Sequence, residues 1–157
     1  MYIFDGAMGT MLQAAGLEEG YCPELFNVER PEVVKNIHAQ YLQHGSDVIT
    51  TNTFGACGLK LEDYDLQDRV KEINIAAVKV AKEAIAEFKP SARVAGSMGP
   101  TGRFLQPLGN MSFDSIYDTY REQAEALIEG GVNFIIIETI IDVQEMRAAL
   151  LASLDAR

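Results

Sequence analysis

One pattern recurs four times along the chain: a short apolar run, a turn rich in Gly, Thr or Pro, and a longer segment with helical periodicity. This alternation predicts an α/β fold with a parallel sheet. The fourth run, Val132–Ile137, is almost continuously apolar, as parallel strands covered on both faces tend to be. The four predicted strands are Tyr2–Phe4, Asp47–Thr50, Val94–Ser97 and Val132–Ile137.

Three of the predicted helices are bounded by residues that start or stop helices. The first begins at Pro31, a residue suited to a first helical turn, and ends before Gly45 as its C′ residue. The second carries apolar residues at spacings of three or four over 70–88 and stops before Pro90. The third is capped by Ser112 and ends at Gly130-Gly131.

The last helix is predicted from its first turn. Asp142 and Glu145 have the spacing of a capping box, in which the side chain of each residue bonds the backbone N–H of the other. The apolar residues of the following turns then indicate its inner face, which is predicted to contain Met146, Ala149 and Leu150.

The number of repeats sets the expected architecture. Consecutive right-handed β/α units curve naturally into a barrel, and a complete (β/α)8 TIM barrel typically takes about 250 residues. The 157 residues therefore predict the first four β/α units, a half-barrel spanning 1–157. A flavodoxin-like open sheet is the alternative, and periodicity alone does not separate the two.

The totals exclude several classes of protein. Asp and Glu number 23 against 13 Lys and Arg, and a net charge of −10 disfavours both nucleic acid and anionic membranes as partners. Cys22 and Cys57 are far apart, which argues against a disulfide framework or a zinc ribbon. No signal peptide or apolar run of about 18 residues is seen, so a cytoplasmic location is expected.

The polar residues at the predicted strand ends are the candidates for a ligand site, because loops converge at the carboxyl edge of a parallel sheet. Asp5 and Glu138 follow the first and fourth strands, and two carboxylates at one rim favour a cationic group such as an ammonium. General acid or base catalysis is a competing use, and capping of a neighbouring turn is a purely structural one. Gly6 and Gly9 would allow backbone N–H groups to approach an anion, although a turn explains them about equally well.

A set of short motifs occurs in order across essentially the whole chain. The motifs are Asp5–Thr10, Glu24–Asn27, Gly45–Ile49, Thr51–Gly55, Gly99–Gly102 and Ile137–Thr139. Together they resemble the homocysteine S-methyltransferase family. The Gly99–Gly102 segment is more similar to the N-terminal module of cobalamin-dependent methionine synthase, or to bacterial homocysteine methyltransferases fused to a folate reductase, than to the betaine-dependent branch.

The resemblance implies roles for particular residues. Asp5 and Glu138 would hold the ammonium of homocysteine, and backbone amides of the turn from Gly6 through Ala7 and Met8 to Thr10 would receive its carboxylate. The homocysteine thiolate would then attack an activated methyl group to give methionine.

The resemblance also implies a zinc ion that holds the homocysteine sulfur as a thiolate. In the family three cysteines of the second half-barrel bind this zinc, and neither Cys22 nor Cys57 corresponds to them. The chain is therefore expected to bind little zinc and to be inactive alone. The methyl donor stays open among methylcobalamin, a methylated amino acid and a folate-linked system, with cobalamin and methyltetrahydrofolate reached through other domains.

Two further readings remain open from the sequence. The chain could be a non-catalytic half-barrel that acts as a binding or assembly module, paired with a separate C-terminal half-barrel or with a second copy of itself in a homodimer. Alternatively, it could be a complete open-sheet protein whose rim binds another amino acid.

Overall fold

The computed structural model describes residues 1–156, and at its centre lie three parallel strands. They are β1 (Val48–Thr50), β2 (Arg93–Met98) and β3 (Phe134–Ile137), in the order β1-β2-β3. Ile49 is in register with Val94, and Gly96 with Ile135. Three of the four predicted strands therefore form, each within two residues of its predicted ends.

The first predicted strand, 2–4, forms only an isolated parallel bridge between Phe4 and Val48. The carbonyl oxygen of Ile3 accepts hydrogen bonds from the N–H groups of Asp47 and Val48, so the segment runs beside β1 without becoming a regular strand. It has a neighbour on one side only among the described residues, and its side chains are exposed, so few contacts hold it.

The segment order is sequential, with each strand beside its predecessor. A β/α barrel has this order, whereas a flavodoxin-like sheet places its first strand between the second and third. The topology thus favours the barrel over the open sheet.

Helices pack along the sheet and against each other: α6 (Phe113–Gly130) lies between α5 (Val70–Phe88) and α7 (Val143–Asp155), and α3 (Pro31–Gln43) packs against α5. Short helices and single 3₁₀ turns at 23–25, 62–64 and 67–69 also occur in loops for which the sequence analysis predicted no structure. The α-helices are α1 (Met8–Ala14), α2 (Phe26–Glu29), α3 (Pro31–Gln43), α4 (Gly58–Leu61), α5 (Val70–Phe88), α6 (Phe113–Gly130) and α7 (Val143–Asp155).

The predicted helix ends are confirmed where they depend on local signals. Gly45 follows the C-cap of α3 with a φ of +106°, a left-handed conformation that favours glycine. The Ser112 hydroxyl accepts a hydrogen bond from the backbone N–H of Ser115 at the start of α6. The carboxylate of Asp142 likewise caps α7 by accepting from the N–H groups of Gln144 and Glu145.

Two predictions for α7 were wrong. The Glu145 side chain does not complete a capping box but accepts hydrogen bonds from Thr101, 44 residues earlier in the chain. Leu150 is half exposed, whereas Ala148, Ala149 and Ala152 face the core. A small-residue stripe lets α7 approach α6 closely, and this turns the larger Leu150 outward.

None of the helices formed by residues 1–156 is long and apolar enough to cross a membrane.

The core lies where the helices meet the sheet. Tyr120, Leu127 and Met98 are completely buried between α6 and β2, and Ile49 packs with Leu42 beneath α3 and α5. Because burial of each large apolar side chain contributes about 1.5–3 kcal/mol, this layer fixes the sheet and with it the strand ends.

Candidate functional site

A cavity of about 580 Å³ opens at the carboxyl ends of the strands. Its wall includes the turn after the Phe4 bridge, the end of β1, Ser97 near the end of β2, and the end of β3 with Glu138 beyond it. All five predicted substrate-binding residues line this one cavity; they are Asp5, Gly6, Ala7, Met8 and Glu138.

Asp5 is held by the end of β1. Its Oδ2 accepts a hydrogen bond from the backbone N–H of Thr50 at 2.8 Å, and its Oδ1 accepts from the Thr50 hydroxyl at 3.0 Å. Burial and, to a smaller extent, the nearby charge of Glu138 raise the pKa of Asp5 to about 6, in spite of the hydrogen bonds from Thr50. Thr50 therefore fixes the orientation of the Asp5 carboxylate, but burial still disfavours its charged form.

Glu138 is positioned by β2. Its Oε1 accepts a hydrogen bond from the Ser97 hydroxyl at 2.6 Å, and its backbone N–H donates to the carbonyl oxygen of Met98 at 3.0 Å. The next residue, Thr139, has a φ of +61°, so the chain turns sharply after the carboxylate.

No Lys, Arg or His side chain within 1–156 lines this cavity. Asp5 and Glu138 therefore lack a protein cation to share, although each carboxylate accepts hydrogen bonds. Such a pair is stabilised by a ligand that brings its own positive charge, because opposite charges nearby favour the ionised carboxylates.

The turn from Gly6 to Thr10 lies on the same cavity and leads into α1. No side chain caps α1 at Ala7, so the first N–H groups of this helix have no partner of that kind. The turn is held from behind by Tyr41, whose hydroxyl donates to the carbonyl oxygen of Ala7 at 3.0 Å. A side chain on Gly6 would press on the Tyr41 ring at 3.1–3.4 Å, which explains the glycine.

Apolar side chains complete the cavity: Phe4, Met8, Phe54 and Ile136. The rings of Phe4 and Phe134 meet edge to face with centroids 6.1 Å apart, so Phe4 reaches across the inner face of the sheet. A ligand here would meet carboxylates on one part of the wall and hydrocarbon on another.

Sequence reasoning missed two residues of the site. They are Tyr41, which received no role in the sequence analysis, and Glu24, which was noted only as part of a motif. Glu24 lines the cavity while only 5% exposed, and it contacts the 52–55 turn through Gly55, 31 residues later in the chain. No local spacing pattern could have revealed either role.

The two cysteines lie outside this cavity and are buried thiols. Burial raises the pKa of both Cys22 and Cys57 to about 12, so neither is a thiolate at neutral pH. Residues 1–156 contain no group of three or more His, Cys, Asp or Glu side chains placed to hold a metal ion. The donors present do not fit the zinc site that the family resemblance implies.

Comparison with known proteins agrees with the motif analysis. A family model described as homocysteine S-methyltransferase matches residues 2–156. Methionine synthase of Mycobacterium tuberculosis is 40% identical over 159 aligned residues, and that of Mycobacterium leprae is 37% identical. Each alignment covers 95% of this chain but only 13% of the mycobacterial protein.

Solved structures show the same relationship in three dimensions. The oxidised form of the homocysteine methyltransferase MmuM from Escherichia coli superposes with a TM-score of 0.81 at 26% identity, and the metallated form with 0.81 at 27%. The superpositions cover 99% of this chain and 58% and 59% of MmuM, respectively. The chain belongs to the homocysteine S-methyltransferase family.

Proposed function

We propose that the chain forms the homocysteine-binding part of an enzyme that methylates homocysteine to methionine. The observation that carries the proposal is the meeting of Asp5 and Glu138 at one cavity, whose wall contains no Lys, Arg or His side chain from residues 1–156. An α-amino acid supplies the missing cation as its ammonium group. The names of the mycobacterial and E. coli relatives support homocysteine as that amino acid.

Each part of homocysteine has a matching part of the cavity. The ammonium would contact Asp5 and Glu138, forming charge-assisted hydrogen bonds. The carboxylate would accept hydrogen bonds from N–H groups of the Gly6–Thr10 turn. The methylene chain would lie against apolar wall residues such as Met8 and Ile136.

The methyl transfer itself needs a thiolate. The thiolate sulfur would form a bond to the methyl carbon while the donor leaves with the electron pair of the broken bond, and a free thiol is mostly protonated at neutral pH. Because residues 1–156 offer no cluster of metal ligands, we assign zinc, and a cobalamin- or folate-linked methyl donor, to parts of the complete enzyme outside these residues. On this proposal the 157 residues bind substrate but do not methylate it alone.

The proposed architecture is the first four β/α units of a barrel, with 2–4 as its first strand. The edge of β3 that faces away from β2 supports this assignment. A second, largely apolar cavity of about 550 Å³ lies there between Phe134, Ile137 and the α7 residues Leu150 and Leu154. The remaining units of a barrel would cover this surface. A second copy of the chain is the alternative partner.

A non-catalytic binding module is the second candidate function. Residues 1–156 contain no cluster of metal ligands, which favours this function, because the cavity can bind an amino acid whether or not a reaction follows. Activity of the chain mixed with a zinc-binding half-barrel would separate the two functions, because a binding module would give no methionine in that mixture.

The binding proposal is tested by calorimetry with two ligands under reducing conditions. L-Homocysteine should bind, and 4-mercaptobutyrate, which lacks the ammonium, should bind at least about tenfold more weakly, since a charge-assisted contact contributes about 1.5–3 kcal/mol. Equal affinity for the two ligands would refute the role of Asp5 and Glu138.

A further inference from the structure

Glu24 is a buried carboxylate on the cavity wall that the proposed substrate contacts do not use. It is 5% exposed, and the ion pairs among residues 1–156 do not include it. Its Oε1 accepts a hydrogen bond from the backbone N–H of Gly55 at 2.7 Å. Its Oε2 accepts from the Cys22 thiol at 3.3 Å. Burial of a carboxylate is costly unless its oxygens have hydrogen-bond donors, and these two bonds supply one donor to each oxygen.

Two more hydrogen bonds join the same two segments of chain. The side-chain amide of Asn27 donates to the carbonyl oxygen of Asn52 at 2.7 Å, and the amide of Asn52 donates to the carbonyl oxygen of Pro23 at 2.8 Å. With the Glu24–Gly55 bond, they fasten 23–27 to the 52–55 turn that follows β1.

The 52–55 turn carries part of the cavity wall. Asn52 and Phe54 both line the cavity, and the Phe54 ring lies so close to Gly99 that a Cβ there would be 2.6 Å from it. A Cβ on Gly55 would lie 2.8 Å from Glu24 Oε1, so Glu24 packs directly on the turn. This contact is next to Phe54 in the chain.

We propose that Glu24 is a positioning residue for ligand binding, which holds the 52–55 turn and thereby the cavity wall formed by Asn52 and Phe54. The inference rests on the proposed function for its ligand, homocysteine. On this inference Glu24 acts through the turn, because its Oε1 is bonded to the Gly55 N–H of that turn.

The variants separate positioning from charge. Glu24→Ala removes the acceptor, Glu24→Gln keeps an acceptor of the same length without the charge, and Glu24→Asp keeps the charge but shortens the reach. Glu145→Ala is the matched control, because Glu145 is also a buried carboxylate, 4% exposed, that accepts from the backbone of a loop after a strand. Glu145 does not line the cavity.

Two measurements are made on the full chain: amide hydrogen exchange, and homocysteine affinity by calorimetry. In Glu24→Ala the Gly55 amide should exchange at least about tenfold faster while the Thr101 amide keeps its rate, and the reverse should hold in Glu145→Ala. Homocysteine affinity should fall at least about tenfold in Glu24→Ala, stay within about threefold in Glu24→Gln, and stay within about threefold in Glu145→Ala. If Glu24→Ala does not fold, Glu24→Asp should show the same pattern to a smaller extent.

Three results would overturn the inference. An unchanged exchange rate at Gly55 would show that Glu24 does not hold the turn. Equal loss of affinity in Glu24→Ala and Glu145→Ala would reduce its role to stability, and equal loss in Glu24→Gln and Glu24→Ala would make the charge a direct ligand contact. If the unmodified chain binds no homocysteine, the proposed function fails, and the Gly55 exchange rate still decides whether Glu24 holds the turn.

Discussion

Glu145 on α7 accepts hydrogen bonds from both the backbone N–H and the hydroxyl of Thr101, at 2.8 and 2.6 Å. The Tyr120 hydroxyl lies 3.0 Å from the same carboxylate oxygen and 3.0 Å from the carbonyl oxygen of Gly99. Three donors thus converge on one buried atom. Through them α7 fixes the position of Thr101 in the loop that follows β2.

Removal of this acceptor should destabilise the fold. Glu145→Ala leaves the two Thr101 donors without their partner in a buried place, while the Tyr120 hydroxyl keeps the carbonyl oxygen of Gly99, so we expect the free energy of unfolding to fall by about 2–4 kcal/mol. Glu145→Gln keeps an acceptor and should lose about half as much. Urea denaturation of the three proteins measures the difference. Equal stability of Glu145→Ala and the unmodified chain would contradict the role of this carboxylate.

Asp5 and Glu138 should each contribute to homocysteine affinity. Asp5→Asn or Glu138→Gln removes one charge-assisted contact, for which we expect a loss of about 10- to 100-fold. Glu129→Gln is the control, because it removes one charge from an exposed ion pair with Lys71 outside the cavity. Calorimetry at pH 7.5 compares the four proteins. Unchanged affinity in both cavity variants would exclude the proposed ammonium site.

Features that depend on local sequence signals were predicted more often than features that depend on long-range contacts. Gly45, Ser112 and Asp142 were assigned correctly because each acts within one helical turn of itself. The meeting of Asp5 and Glu138 was predicted from topology, since parallel strands end at one edge. Glu145 was misassigned because a capping box and a distant loop contact require the same residue type.

The same distinction between local signals and long-range contacts explains why the first predicted strand does not form as a regular strand. The Tyr2–Phe4 run has the composition of a strand, but among the described residues it pairs with β1 through a single bridge, and its exposed side chains make few contacts that would hold it. Glu24 was overlooked as a site residue for a similar reason, since its partner Gly55 lies 31 residues away in a loop.

Asp5 should reduce the stability of the fold at neutral pH. Its pKa is raised to about 6 from an ordinary value of 3.8, so the folded state binds more protons between these values and stability falls as pH rises through that window. Asp5→Asn should therefore be more stable than the unmodified chain at pH 7.5, by about 1–2 kcal/mol after loss of part of the Thr50 contact. The advantage should vanish near pH 4. Urea unfolding at both pH values tests this, and an Asn variant that is less stable at pH 7.5 would contradict it.

His38 should act in the opposite direction. Its ring is completely buried, neither ring nitrogen has a hydrogen-bond partner within 1–156, and burial lowers its pKa to about 4 from 6.5. The folded state thus holds the neutral ring, and stability is full above pH 6.5 and is lost as pH falls toward 4.

The variant His38→Leu isolates this effect from that of Asp5. Between pH 7.5 and pH 5 the unmodified chain should lose about 2 kcal/mol relative to His38→Leu, as the difference between the two pKa values requires. Thermal or urea unfolding at the two pH values provides the comparison. Parallel pH profiles for the two proteins would show that His38 does not titrate with unfolding.

The purified chain should associate with itself. Within residues 1–156, β3 pairs only with β2, and the apolar surface beside it includes Leu150 and Leu154, which are 50% and 47% exposed. An unpaired strand edge next to exposed apolar side chains favours pairing with another chain. The Phe4 segment offers a second open edge, so that two copies could pair first strand to last in a closed arrangement with two interfaces of the same kind.

Sedimentation velocity at low micromolar concentration tests this expectation. The unmodified chain should sediment as a dimer or larger species, and Leu150→Glu combined with Leu154→Glu should weaken association at least about tenfold, because a carboxylate is costly to bury at an apolar contact. Phe88→Glu is the matched control, since Phe88 is also a partly exposed apolar residue on a helix but lies away from that surface. A sharp monomer peak for the unmodified chain, together with cooperative unfolding, would show that residues 1–157 cover their own edges, and the half-barrel assignment would then have to be replaced.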